Sequence, residues 1–161
     1  MVYRTASQSF VSWPVTLTRG RATHLEVGLL PTDPFGNIIE NPDGRLSYLE
    51  EGMPDRWRSR KTLAGTVWSS AAARVDPGVT YRCGAVLKDP AAKVRFQFHG
   101  APGKKDVVPA NVDLPAGETN PAEATFTAAA GHWGVTVTVE TVRRLTDAID
   151  RVWVVPVEEK K

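Results

Sequence analysis

The sequence predicts an all-β protein: an antiparallel β-sandwich preceded by an extended N-terminal arm. Three observations carry that expectation. Turn signals built on Gly, Pro, Asn and Asp recur at intervals of about 8–15 residues. β-Branched residues dominate the segments between them, several with strict apolar–polar alternation. No apolar stripe of helical period lasts beyond a turn or two, which leaves sheet-on-sheet packing as the way to build a core.

Residues 1–13 form the arm, polar and small, with Tyr3, Phe10 and Trp13 as isolated aromatic anchors and no period of either kind. An arm of this kind is tethered by contact with its own domain's edge or with a neighbouring molecule. The sandwich domain is expected over residues 14–157, and a charged tail over 158–161. Residues 15–18 alternate as a strand, Arg19-Gly20 turns, and residues 22–30 alternate again, with Leu25, Val27 and Leu29 on one face. The stretch Asp33-Pro34-Phe35-Gly36-Asn37 then reads as a turn, with the Asp33 side chain as its cap and Gly36-Asn37 supplying positive φ. After the apolar pair Ile38-Ile39, a second turn, Asn41-Pro42-Asp43-Gly44, leads into a short strand over residues 45–49.

Residues 50–61, EEGMPDRWRSRK, have no strand pattern and are expected to form a long exposed loop. A strand follows at residues 66–69, and the run Ala71-Ala72-Ala73 is compatible with one helical turn before Asp76-Pro77-Gly78 stops it. Residues 79–87 put Tyr81, Cys83, Ala85 and Leu87 on one face. Val94, Phe96 and Phe98, alternating with Arg95, Gln97 and His99, make the clearest half-buried strand in the chain. Prolines at 102, 109, 115 and 121 exclude a central strand from most of that region, leaving residues 107–114 as an edge. Strands are expected at 124–128 and at 135–142, the second with Val135, Val137 and Val139 inward. Leu145 and Ile149 are spaced for a short helical turn. Residues 152–157 are apolar on both faces, as in a fully buried strand or an edge covered by another segment; Pro156 favours the edge or the last position of the strand.

Composition narrows the function. The length of 161 residues suits one domain with a sizeable core. A net charge of +2 is too small to imply a nucleic-acid partner. The lone Cys83 cannot form an intramolecular disulfide, which points to assembly in a reducing compartment. No run of about 18 apolar residues exists to cross a membrane as a helix, and no apolar core of a secretory signal is expected at the N-terminus.

The run LEVGLLPTDPFGNIIENPDGRL resembles the strand–turn–strand of bacterial and phage immunoglobulin-like domains, in which a strand is followed by Asp-x-x-Gly-Asn and a short apolar pair. The Gly131-x-x-Gly134 segment followed by an alternating strand and a closing strand is similar too. The resemblance covers about a third of the chain and implies a module for binding or assembly, with an immunoglobulin-like or jelly-roll-like sandwich. The disulfide pair of antibody-type domains is absent.

No catalytic, cofactor-binding or metal-binding constellation stands out. Cys83 with His24, His99 or His132 is a conceivable nucleophile–base pair, but Cys83 shares its face with Tyr81 and Ala85 and reads as a core residue. The histidines lack zinc spacing, the Asp residues at turns lack a calcium-loop pattern, and GAPGKK lacks the spacing of a phosphate loop. Among the tryptophans, Trp68 and Trp153 lie in strands, whereas Trp13, Trp57 and Trp133 remain candidates for contact.

The most conspicuous run is Arg56-Trp57-Arg58-Ser59-Arg60-Lys61, which fits a solvated loop, a protein interface or, despite the nearby Glu50, Glu51 and Asp55, a phosphate contact. The expectation is therefore a non-enzymatic structural protein, a phage head decoration or tail accessory subunit assembled in the host cytoplasm. Its contacts would be Tyr3, Phe10, Trp13, Arg56, Trp57, Arg58, Arg60 and Lys61. Its partners would be its own copies and neighbouring capsid or tail proteins, with no membrane. The alternative is an immunoglobulin-like module at the cell surface or outside the cell, binding carbohydrate or protein.

Overall fold

Two antiparallel sheets face each other in the computed structural model, as the alternation of the sequence demands. The structure describes residues 36–45, 53–114 and 120–157, together with the backbone of two short strands, β1 (Tyr3–Arg4) and β2 (Phe10–Val11). The expected strands at 15–18 and 22–30, nearly all of that at 45–49, and the tail 158–161 lie outside the described residues. So do Trp13, His24 and Asp33.

The larger sheet contains β3 (Trp57–Thr62), β4 (Gly65–Ser70), β5 (Ala73–Arg74), β7 (Lys93–Gly100), β8 (Ala110–Asp113) and β10 (His132–Thr141). Its order is β3-β4-β10-β7-β8, with β5 also paired to β10. The smaller sheet has the order β11-β6-β9, from β11 (Ile149–Pro156), β6 (Thr80–Leu87) and β9 (Ala122–Thr127). The single helical turn α1 (Leu145–Ala148) carries the chain from β10 to β11. It falls where Leu145 and Ile149 placed it, and both of those side chains are buried.

The core is the sum of the inward faces. Val94, Phe96 and Phe98 of β7 and Val135, Val137 and Val139 of β10 meet Tyr81, Cys83 and Ala85 of β6, Ala122 of β9 and Val152 and Val154 of β11. Phe98 stacks on Phe126 across the two layers with ring centroids 4.2 Å apart. This period-two division of side chains is what a sandwich requires of its strands.

Four expectations are corrected. Residues 57–61 of the expected loop belong to a strand, β3, which pairs with β4 from Trp57↔Ser70 to Thr62↔Gly65. The Ala71-Ala72-Ala73 run is not helical: Ala73 and Arg74 pair with Val135 and Gly134. The gap between β4 and β5 is bridged by the Ser70 hydroxyl, which accepts the Val137 N–H at 3.0 Å and donates to the Ala71 carbonyl. The arm is not wholly unpatterned, because Tyr3 pairs with Val11 and Arg4 with Phe10. In the turn after Asp33, Gly36 has φ of 76° while Asn37 does not take a positive φ. Asn37 is buried instead, and its role is side-chain hydrogen bonding.

That role explains the doubly apolar last strand. β11 is an edge covered by another segment, residues 36–45. The Ile38 N–H donates to the Val154 carbonyl and the Val152 N–H to the Pro42 carbonyl. Asn37 supplies the two remaining partners: its Nδ2 donates to the Val152 carbonyl at 3.0 Å, and its Oδ1 accepts the Val154 N–H at 2.9 Å. Every outward backbone group of Val152 and Val154 is thus satisfied, which is what burial of a strand edge requires. Trp153, between them, points to the opposite face and lies flat over Gly84, donating its Nε1–H to Glu123.

Candidate interaction surface

The basic run is positioned by a turn and two anchors. The Trp57 N–H donates to the Pro54 carbonyl, closing a turn in which Arg56 adopts φ of 69°, a left-handed conformation uncommon for a side chain of this size. Arg56 is held there by an ion pair from its Nε to Glu40 Oε2 at 2.8 Å. The Trp57 ring turns into the core, 3% exposed, with its Nε1–H donated to the Asn41 carbonyl at 2.9 Å. Trp57 is therefore removed from the proposed contact set: its indole is a structural wedge between segment 36–45 and the sheet, and nothing docking from solvent reaches it.

Beyond Trp57 all five residues of β3 are exposed. Arg58 and Arg60 lie on the outer face, in rows with Ser69 and Val67 of β4, whereas Ser59 and Lys61 lie on the other face. The side chains of Arg58, Arg60 and Lys61 have no ion pair or hydrogen bond among the described residues. β4 contributes no charge to the hairpin. Leu63, at the tip, is fully exposed, and Val142, whose Cγ1 would lie 3.2 Å from a Cβ at Gly65, is 77% exposed beside it.

Further across the outer face the charges are compensated. Arg95 of β7 makes a two-pronged contact with Asp113 of β8, Nε to Oδ1 at 2.6 Å and Nη2 to Oδ2 at 3.2 Å, and Asp113 pushes the guanidinium pKa still higher. Among the described residues, the cations of this sheet without an ion pair or hydrogen bond are Arg58, Arg60 and Lys61 of β3 and Lys93 of β7, which stands opposite Glu140. Of the other proposed contacts, Tyr3 and Phe10 sit on the paired strands β1 and β2, and Trp13 lies outside the described residues.

Cys83 lies in the core with no exposed surface, and burial pushes its thiol up to about 12, so it stays protonated and out of reach of substrate. His132 accepts the Ala129 N–H at Nδ1 and therefore donates from Nε2 to the Val108 carbonyl; His99 contacts the Gly100 carbonyl and the Thr136 hydroxyl. The His132 imidazole thus ties two loops to β10, and that of His99 links β7 to β10. Among the described residues no three His, Cys, Asp or Glu side chains gather as a metal site, and no helix is long and apolar enough to cross a membrane.

Comparison with family models and with curated protein sequences finds no match.

The sequence did not mark Leu63, Val142 or the strand character of the basic run. A strand that is polar on both faces has no alternation to detect. The available signal was the partner strand Thr66-Val67-Trp68, joined to the run through Leu63-Ala64-Gly65, a spacing that fits a two-residue hairpin loop.

Proposed function

We propose that this chain is a non-enzymatic assembly protein that holds neighbouring subunits through the β3–β4 hairpin and the N-terminal arm. The observation that carries the reading is the hairpin itself. Five consecutive residues of a sheet-edge strand are exposed, with three cations on that strand that have no ion pair among the described residues, and an apolar tip. Arginine beside exposed apolar surface is a composition enriched where proteins meet, and an uncovered sheet edge is a surface that proteins ordinarily guard or use. A virion component, a head decoration or tail accessory subunit made in the host cytoplasm, is the setting such a sandwich with an arm suits, by analogy of architecture.

Light scattering and sedimentation of the full chain and of a variant lacking residues 2–13 test this. The full chain is expected to self-associate, and the deletion to remain folded by circular dichroism but run as a monomer. A full chain that stays monomeric, or a deletion that assembles normally, rejects the arm's role. The reading as an immunoglobulin-like surface module binding carbohydrate or protein is favoured by one observation, the 40% exposure of Trp133, a flat ring available for stacking. A glycan array without a signal that Trp133→Ala abolishes removes its carbohydrate form.

A further inference from the structure

The backbone of β3 adds something its side chains do not. In an antiparallel ladder alternate residues turn their N–H and C=O groups toward the partner strand. The Ala71 N–H donates to the Arg56 carbonyl, and the hairpin closes on the pair Thr62↔Gly65, so residues 56, 58, 60 and 62 face β4. Ser59 and Lys61 therefore turn both backbone groups outward, and no other strand covers them among the described residues. The Trp57 carbonyl points the same way, while its N–H is used by Pro54. The β3 edge is a template of two complete backbone positions, flanked on one face by Arg58 and Arg60 and on the other by Lys61.

We propose that this edge accepts an acidic extended segment of another protein as an added antiparallel strand. The inference rests on the reading of the hairpin as a contact surface, and names its partner. Every strand pairing described in the molecule is antiparallel, so the same orientation is taken for the added strand. Read in its own direction, the incoming segment meets Lys61, Arg60, Ser59 and Arg58 in turn. Charge complementarity then gives the pattern acid–acid–any–acid, with the acids opposite Arg60 and Arg58 on one face and the acid opposite Lys61 on the other.

The edge discriminates against a second copy of itself. Pairing Ser59 with Ser59, or Ser59 with Lys61, of another copy puts Arg60 opposite Arg58 or Arg60, and like charges directly opposed are destabilising. Nucleic acid is disfavoured because Trp57, the one aromatic ring in the basic run that stacking on a base would need, is in the core.

The test uses the full chain and the synthetic peptide TVEEVEVT, with TVKKVKVT as its charge-reversed control, followed by fluorescence anisotropy and by amide hydrogen exchange. TVEEVEVT is expected to bind, to weaken several-fold as salt rises from about 50 to about 300 mM, and to slow exchange of the Ser59 and Lys61 amides. The double variant Arg58→Glu, Arg60→Glu is expected to lose TVEEVEVT by tenfold or more and to gain TVKKVKVT. Ser59→Pro removes an outward N–H that β4 does not use, and is expected to weaken the peptide by about tenfold while leaving the fold intact. Should that variant fail to fold, the same TVEEVEVT peptide with N-methylated backbone replaces it on the wild-type chain and is expected not to bind.

Failure of TVEEVEVT to bind at about 1 mM overturns the proposal. So does binding that leaves the Ser59 and Lys61 amides unprotected, or a single-stranded oligothymidylate that binds more tightly and displaces the peptide. The assembly reading fails separately, through the oligomeric state of the full chain and of the arm deletion.

Discussion

Asn37→Ala offers the sharpest test of how the smaller sheet is closed. Asn37 is 5% exposed, and its side chain makes three hydrogen bonds: to the Val152 carbonyl, from the Val154 N–H and, at 3.1 Å, from the Ile39 N–H. Truncation leaves the Val152 carbonyl and the Val154 N–H without partners on a buried edge. An unsatisfied buried backbone group costs roughly 1–3 kcal/mol, so the pair places the loss at about 2–6 kcal/mol. Against a total stability of roughly 5–15 kcal/mol, that is a large fraction. Urea denaturation is the assay: with a slope of about 2 kcal/mol/M, a loss of about 3 kcal/mol lowers the midpoint by about 1.5 M at unchanged slope. Hydrogen exchange at the Val154 amide should accelerate with it. Asn37→Asp refines the test, because it keeps the acceptor and replaces the Nδ2 donor with an oxygen facing the Val152 carbonyl. That lost donor alone should destabilise Asn37→Asp by about 1–3 kcal/mol, read in the same urea titration. An Asn37→Ala protein within about 0.5 kcal/mol of the wild type would show that water replaces the side chain, and the account of the covered edge would be wrong.

Further outcomes follow from other contacts. Gly84→Ala puts a Cβ 2.2 Å from Trp153 Cζ2, so the indole must leave its place on the sheet and give up Glu123; a loss of about 1–3 kcal/mol and a shifted indole N–H resonance are expected, and an unmoved resonance refutes the packing. Cys83 should resist iodoacetamide in the native protein and react on unfolding. Its thiol is raised from 9.0 to about 12, so the unfolded chain ionises first: stability is intact below pH 9 and declines between pH 9 and 12, and Cys83→Ala should make that decline shallower. Trp57→Ala should cost about 3–5 kcal/mol, whereas Arg58→Ala and Arg60→Ala should leave the urea midpoint where it is; a tolerated Trp57→Ala would return that residue to the contact surface.

Much of the architecture was legible in the residue order because half-buried strands write their two faces into the chain. β7 and β10 follow directly from the alternation of Val94, Phe96 and Phe98 and of Val135, Val137 and Val139. The turns at Asp76-Pro77-Gly78 and Asn41-Pro42-Asp43-Gly44 were readable for the same local reason, since backbone reversal selects residues with the needed φ. The immunoglobulin-like likeness of the run around Asp33–Asn37 remains an analogy of turn chemistry.

What tertiary structure alone decided is where each polar or aromatic exception goes. Asn37 looked like a turn residue and is a backbone substitute for β11, because its partners lie 115 and 117 positions away in sequence. Trp57 sat among arginines and is core, because the Arg56 turn and the Asn41 carbonyl draw its ring inward. Arg58, Arg60 and Lys61 were visible as charges, but their value as a docking edge depends on β3 having β4 on one side and no described strand on the other. Local periodicity records which way a side chain points relative to its own strand. It does not record which strand stands next to it, and that neighbour determines whether an edge is buried, guarded or offered to a partner.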